Sequence, residues 1–308
     1  MHSSDHTYSL PATCKKLKIA SLNVCGLRSK LRYDVLEDYA KDFDIVCLTE
    51  TKTDVIEKNW FPNYSAITMP KKCSSHAYGG VHGICILVSD TIMPNVDIVE
   101  GTCSTNVLWI RVKNIADIVL GAVYLPCETS KHFSDETFGN LLSDLAHIEG
   151  RFNVPIIVCG DFNARTGLLL DINAGDEATG NESEVFSNVF DSIDHLHSLG
   201  IDMTRYNEDV MCNKNGYQLI ECCKTTDLKI INGRFGSDAH CGSFTCTNAN
   251  GRSVIDYVIA SSSILPFISD FKVKPLDKCL SDVHSPIEVV LNPNTSNATH
   301  KTCTQNTS

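Results

Sequence analysis

Met1 to Lys18 holds no apolar stretch of signal-peptide length, and no later run is long enough to cross a bilayer. The expectation is a chain that is not secreted by the usual route, has no membrane partner and works inside the cell, in nucleus or cytoplasm. The Asn-x-Ser/Thr sequons at Asn63, Asn181, Asn297 and Asn306 then read as chance matches. Paired Cys-x-x-Cys motifs are missing, which removes the strongest zinc signal. His240, Cys241 and Cys246 are a weak remnant of one and read more readily as a β-hairpin with incidental cysteines. An excess of positive charge is missing too: the net charge is −11, which taken alone argues against a nucleic-acid partner. There is no repeat periodicity and no linker-like stretch.

Cysteine itself is plentiful. The count is 15, odd and scattered, and Cys47, Cys85 and Cys159 sit inside apolar runs. A reduced cysteine packs there as a small hydrophobe, so free thiols are expected rather than a disulfide framework. With 308 residues, 43% hydrophobic and 20% charged, the chain has the composition of a globular protein and the length for one large core or two small ones.

The negative charge is concentrated. Residues 168–211 carry ten carboxylates (Asp171, Asp176, Glu177, Glu182, Glu184, Asp191, Asp194, Asp202, Glu208 and Asp209) against Arg205 alone, a local charge of −9. The remainder is nearly neutral, and local basic clusters on such a body can still meet a phosphate backbone. Arg28-Ser-Lys30-Leu-Arg32 and Lys71-Lys72 are the candidates, with an ordinary solvated surface as the equal alternative.

Hydrophobic periodicity predicts strands at Ile19–Val24, Asp44–Leu48, Gly83–Val88, Val107–Val112, Ile118–Leu125, Pro155–Cys159, Leu228–Ile231, Phe271–Pro275 and Pro286–Leu291. The segments Val107–Val112 and Ile118–Leu125 read as antiparallel neighbours. Asn250-Gly251 marks a hairpin between Ser243–Thr247 and Val254–Ala260. Leu31, Val35, Tyr39 and Phe43 form one face of a helix. A second helix, capped by Ser134, carries Phe138, Leu141, Leu142, Leu145 and Ile148. A third covers Gly216–Asp227. Residues 164–213 read as a long loop with a short helix near 184–198, and loops of that length are usually functional. The polar ends, 1–14 and 293–308, read as disordered. The expected architecture is α/β, a four-layer sandwich of two packed mixed β-sheets flanked by helices, forming one domain over 15–292 with 168–211 as an acidic loop insertion.

Five fragments place oxygen-bearing or imidazole side chains at or just past the ends of strand-like runs. They are Ser21-Leu22-Asn23, Leu48-Thr49-Glu50-Thr51, Gly160-Asp161-Phe162-Asn163-Ala164, Ile255-Asp256-Tyr257 and Ser281-Asp282-Val283-His284-Ser285-Pro286. Residues far apart in sequence can form one site at such strand ends. Hard oxygen ligands beside a proton-transfer group suit a divalent metal and hydrolysis of a phosphate ester. Asp161 and Asn163 stand two residues apart on a tight turn. His284 paired with a buried carboxylate, here Asp256, becomes a better acceptor or a stabilised cation.

Together these fragments resemble the endonuclease/exonuclease/phosphatase superfamily over about residues 17–292. Gly160-Asp-Phe-Asn-Ala-Arg165 and Ser253-Val-Ile-Asp-Tyr-Val-Ile-Ala-Ser261 are most similar to endonuclease domains of LINE-type (non-LTR) retrotransposons. The resemblance implies a deoxyribonuclease-like fold and a Mg²⁺-dependent monomer, with Mn²⁺ as a substitute, that nicks duplex DNA and leaves a 3′-hydroxyl. It implies that Asn23, Glu50 and Asp282 bind or support the metal and that Asp161 handles the proton of water or leaving group. Asn163 would be a phosphate ligand and Tyr124 would face the phosphate. His284, supported by Asp256, would stabilise the transition state. Two features depart from the pattern. Val283 separates Asp282 from His284, where relatives have the two adjacent, so an extended strand would point both side chains the same way unless a one-residue bulge intervened. Cys25 stands where many relatives have an Asp, and it is a poor Mg²⁺ ligand.

Two alternatives are a phosphomonoesterase or phosphodiesterase acting on inositol phosphates or a sphingolipid, and a catalytically inactive element-derived remnant. Val158-Cys159 before Gly160, and Val254-Ile255 before Asp256, lack the 5-phosphatase signature. The acidic segment follows the Gly160–Asn163 turn, so it is expected at the rim of the site, where it would repel DNA.

Overall fold

A computed structural model describes residues 16–53, 55–69, 83–172, 196, 201 and 204–293. The first sheet is built from β1 (Leu17–Asn23), β2 (Ile45–Thr49), β3 (Tyr64–Thr68), β4 (Ile84–Ser89), β13 (Ile268–Val273) and β14 (Ile287–Leu291), in the order β13-β14-β1-β2-β4-β3. The second contains β5 (Val96–Ile98), β6 (Val107–Val112), β7 (Ile118–Tyr124), β8 (Ile156–Asp161), β9 (Leu228–Ile230) and β12 (Asp256–Ser261), in the order β5-β6-β7-β8-β12-β9. Both sheets are mixed. β1 and β2 are parallel, as are β7 and β8, and the other pairings in each sheet are antiparallel.

The two-residue period of a strand sorts its side chains between two apolar layers. Ile19, Ile45, Cys47, Leu120, Ile157, Cys159 and Val258 fill the space between the sheets. Ala20, Leu22, Val46 and Leu48 face the other way, onto Leu27 of α1 (Leu27–Lys30) and Leu36 and Ala40 of α2 (Val35–Ala40). On the second sheet Val119, Val158, Tyr257 and Ile259 meet Leu141, Leu145 and Ile148 of α3 (Thr137–Phe152) and Leu219 and Ile220 of α4 (Lys214–Thr226). The result is helix, sheet, sheet, helix. Strands buried on both faces explain the continuous apolar runs of β2 and β7.

Several expectations need correction. Only Val35 and Tyr39 of the stripe Leu31–Phe43 lie on a helix, the short α2, while Leu31 follows the end of α1 and Phe43 lies beyond α2; Leu31, Val35 and Tyr39 still pack beside buried Phe43. Ser134 does not cap α3. Its hydroxyl accepts from the Glu136 amide at 3.2 Å, one turn before the helix begins at Thr137. The Asn250-Gly251 hairpin is shorter than expected, β10 (Cys246–Asn248) against β11 (Gly251–Ser253). The chain then leaves it, because the Thr245 hydroxyl accepts the Ile255 and Asp256 amides, each at 3.0 Å, and the all-apolar run that follows joins β8 in the second sheet. β3 and β5 are edge strands whose alternation is too weak to read. The short helix near 184–198 falls, Leu196 apart, outside the described residues, as do the ends 1–14 and 293–308, Pro293 apart. Among the described residues no helix is long and apolar enough to cross a membrane.

The flanks of the long acidic segment are anchored by buried charge. Asp171 meets the Arg234 guanidinium at 2.6 Å, and both side chains are almost wholly buried. Asp209 meets Arg165 at 2.6 Å. These two carboxylates are therefore neutralised internally. Burial alone would raise the Asp171 pKa, but Arg234 outweighs it and holds the carboxyl below its ordinary value. Removing one partner of such a pair strands the other. Arg234→Met is expected to cost about 3–5 kcal/mol in urea unfolding at neutral pH. Because the folded pKa is depressed, this contribution is present above the unfolded value of about 3.9 and is lost as pH falls through the folded one. A cost under about 1 kcal/mol would contradict a structural role for the pair.

Candidate active site

The strand period that builds the inter-sheet core also aims polar side chains at one end of it. Asn23 shares the face of Ile19 on β1, Tyr124 that of Leu120 on β7, Asp161 that of Cys159 on β8, and Asp256 that of Val258 on β12. Register aligns them further. Tyr124 lies opposite Asp161, and Asp161 opposite Asp256, so three adjacent strands present them in one row. Glu50 enters from just beyond β2 with φ 49°, and Asn163 from just beyond β8 with φ 46°. Both are left-handed conformations that non-glycine residues adopt sparingly and that recur at functional sites. Gly160 has φ 146°, and a Cβ there would collide with the Val123 carbonyl of β7, which is why glycine precedes Asp161.

The side chains form one connected set. The Asn23 amide nitrogen donates to Glu50 Oε1 at 3.1 Å and to Asp161 Oδ2 at 2.9 Å, while its oxygen accepts the Cys25 amide at 3.0 Å. Asp161 Oδ1 accepts the Asn163 backbone amide at 2.9 Å, and the Asn163 side chain donates to the Leu125 carbonyl at 2.9 Å. His284 Nδ1 lies 2.9 and 3.1 Å from the two oxygens of Asp256. Its Nε2 is 3.9 Å from Asp161 Oδ2, near enough for charge attraction but too far for a hydrogen bond. Asp161, Asp256 and His284 are all buried, and their ligating atoms lie within 4.8 Å of one another.

Electrostatics gives each group a different protonation tendency. Burial works against ionisation of Glu50, but the Asn23 amide and the Lys52 ammonium 3.3 Å away hold its carboxyl below the usual value. Burial and the Asp256 charge push Asp161 up, outweighing His284, Asn23 and Asn163. Burial alone would strip the proton from His284, yet the Asp256 carboxylate more than compensates and raises the imidazolium to about 10. Burial and the negative charge of Glu50 raise the Tyr124 hydroxyl, which stays a phenol and hydrogen-bonds Glu50.

Asn23, Glu50, Tyr124, Asp161, Asn163, Asp256 and His284 thus gather at one end of the seam. Asp282 does not join them. The chain bends at Asp282-Val283 rather than running extended, and the Ser281 hydroxyl accepts the His284 amide at 3.1 Å. The Asp282 side chain turns outward, 64% exposed, and pairs with Lys30 at 2.6 Å. Nor do His240, Cys241 and Cys246 form a metal cluster among the described residues. Cys246 instead bridges to His284 at the base of the hairpin. Two residues escaped the sequence reading, Lys52, which contacts Glu50, and Thr245, which holds the backbone of Asp256. Ser281 belongs to one of the five fragments but has no role in that reading, and it holds the backbone of His284. Each sits in a loop, where no periodicity marks it.

Asp256→Asn is expected to leave the fold intact and to lower the His284 pKa from about 10, read by NMR titration of its ring proton. An unchanged value would contradict the Asp256 pairing. With the folded pKa raised above the unfolded one, the stability contributed by this pair is full below about pH 6.5 and is lost as pH rises through the folded value.

A family model described as the Endonuclease/Exonuclease/phosphatase family matches residues 20–270. No curated protein matches the chain in sequence. Among solved structures, the AP endonuclease LMAP from Leishmania major superposes with TM-score 0.61 at 16% identity, covering 90% of this chain and 88% of that one. The 3′-5′ exonuclease NExo from Neisseria meningitidis gives 0.56 at 15% identity, covering 90% and 100%. The endonuclease domain of TRAS1, a telomere-specific non-LTR retrotransposon, gives 0.54 at 13% identity, covering 92% and 100%. At these identities the superpositions speak for the fold, two mixed six-stranded sheets of the deoxyribonuclease type. The family match spans most of the chain, and on it the chain belongs to the endonuclease/exonuclease/phosphatase family.

Proposed function

We propose that the chain is a divalent-metal-dependent phosphodiesterase that nicks one strand of duplex DNA and leaves a 3′-hydroxyl, in the manner of retrotransposon endonucleases. Residues 15–292 act as one catalytic domain, as a monomer. The observation that carries this reading is the placement of buried Asp161 between the Asn23 amide at 2.9 Å and the protonated His284 at 3.9 Å. A carboxylate with a raised pKa beside a fixed cation is suited to taking a proton from water while negative charge grows on a phosphate.

The residues present fit a hard cation. Glu50 supplies carboxylate oxygens, and the Lys52 ammonium already lies 3.3 Å from Glu50 Oε2 and 3.2 Å from the Cys25 carbonyl, a positive charge held at this spot. Glu50 would hold Mg²⁺ or Mn²⁺, with Asn23 supporting it through its amide bond to the Glu50 carboxylate, and the bound ion would supply charge neutralisation at a phosphate oxygen. Asp161 accepts the proton of the attacking water. His284 keeps its Nδ1 proton on Asp256 and offers Nε2–H to a phosphate oxygen. Asn163 gives one N–H to Leu125 and has a second for the same phosphate. Tyr124 holds Glu50 in place through its hydroxyl.

Features at the rim favour a long polyanion. Arg252 stacks on Phe244 with 4.3 Å between guanidinium carbon and ring centre, on the hairpin that is bridged to His284. Arg28 stacks on Trp60 at 5.6 Å, and Lys52 is half exposed. Such cations contact phosphates and fix the register of a duplex. Lys30 is not part of this surface, being buried, and Lys71-Lys72 lie outside the described residues.

The test is conversion of supercoiled plasmid to the open circle with Mg²⁺ and with EDTA. Nicking is expected with Mg²⁺ only, and it is expected to fall by about 10²–10⁴ in Asp161→Ala and in His284→Ala. Intact plasmid with folded wild type, together with phosphate release from inositol polyphosphates, would move the function to a monoesterase.

A further inference from the structure

Lys30 presents an unusual problem for a nuclease-like chain. It lies on α1, seven residues after Asn23, and only 5% of it is exposed. A buried ammonium is costly unless it is paired and hydrogen-bonded. Its nitrogen is 2.6 Å from Asp282 Oδ1 and donates to the Lys278 carbonyl at 3.2 Å. Both partners belong to the loop that leads into His284. That loop is closed from within. The Leu280 and Ser281 amides donate to the Asp277 carbonyl, the Cys279 amide donates to the Asp277 side chain, and the Lys278 ammonium donates to the Asp282 carbonyl. Fully buried Ser281 then accepts the His284 amide and lies 3.6 Å from the Cys25 thiol.

The segment that carries Lys30 is itself tied to Glu50. The Val24 amide donates to the Thr49 carbonyl and the Leu27 amide to the Thr51 carbonyl, each at 3.0 Å. A continuous set of contacts therefore runs from the Glu50 strand end through Asn23 and α1 to the loop that delivers His284. We propose that Lys30 is a positioning residue for His284, latching the 277–284 loop through Asp282, and that Asp282 serves this internal cation and not a metal. The inserted Val283 and the bend beside it give a physical reason, since they turn the Asp282 carboxylate toward Lys30 and away from the Asp161–Asp256–His284 cluster. The inference rests on the nuclease reading for what His284 does, while the latch itself stands on contacts.

The decisive comparison uses the full chain and Mn²⁺ alone as probe, with bound ion read by electron paramagnetic resonance. Asp282→Asn is expected to bind Mn²⁺ within about twofold of wild type, whereas Glu50→Gln binds it about tenfold or more weakly. If Asp282→Asn weakens binding as much as Glu50→Gln does, Asp282 is a metal ligand and the proposal falls. On plasmid, Lys30→Met and Asp282→Asn are each expected to lower kcat about tenfold with KM unchanged, and Lys30→Arg to restore part of it. The double variant is expected to be no slower than Lys30→Met alone, as for two members of one contact. Unchanged kcat in both single variants would overturn the positioning role. The His284 ring resonance gives a readout independent of cleavage. It is expected to shift in Asp282→Asn, whose altered side chain is exposed and endangers folding least. A resonance unmoved in that variant would overturn the latch even if the wild type cleaves no DNA, a result that would by itself sink only the nuclease reading.

Discussion

The Asn23 side-chain amide joins the two sheets where they would otherwise repel. It donates to Glu50 from the first sheet and Asp161 from the second, at 3.1 and 2.9 Å, and its own oxygen is fixed by the Cys25 amide. Two carboxylates at one seam raise each other's pKa and push apart unless something between them carries N–H groups or positive charge. An amide does this without titrating. It leaves Glu50 free to stay ionised beside Lys52 and Asp161 free to hold a proton more tightly, so two chemically identical groups acquire different tendencies. On the far side His284, charged through Asp256, completes the balance.

Such a cluster survives only because the scaffold leaves it little freedom. Tyr124, Asp161 and Asp256 occupy one row of paired strands, and the left-handed turns at Glu50 and Asn163 begin at strand ends locked by sheet hydrogen bonds. Loop residues are secured by side chains as well as by backbone bonds to the β10–β11 hairpin. Thr245 fixes the start of β12, Ser281 fixes His284, and the Asp171–Arg234 and Asp209–Arg165 pairs secure the flanks of the acidic segment. The acidity of that segment is thus partly internal. Two of its carboxylates are neutralised by arginines, which lessens its capacity to repel a polyanion.

The sequence makes the central strands and the α3 and α4 stripes legible because burial imposes a strong period on them. β6 falls where alternation predicts it, and β7 ends one residue short of its expected limit. Edge strands such as Tyr64–Thr68 are half solvated and carry a weaker period, so they escape. The same parity that marks Ile157 and Cys159 as core marks Asp161 as seam-facing, and this is why the strand-end residues could be found from sequence. Orientation within a loop is a different matter. Where Asp282 points depends on a bend at Val283 and on Lys30, 252 residues away in sequence, and no local pattern encodes that pairing. Ser134 illustrates the same limit, since a good capping residue settled into a turn one step before the helix.

If an uncharged amide at position 23 is what lets Glu50 and Asp161 divide their roles, a third carboxylate there should undo the division. The most direct measurement is the rate of single-turnover DNA cleavage against pH for wild type and Asn23→Asp, with folding checked by urea unfolding. A folded variant whose rate profile moves to higher pH is predicted, because added negative charge holds the Asp161 proton more tightly. Superimposable profiles would contradict the account.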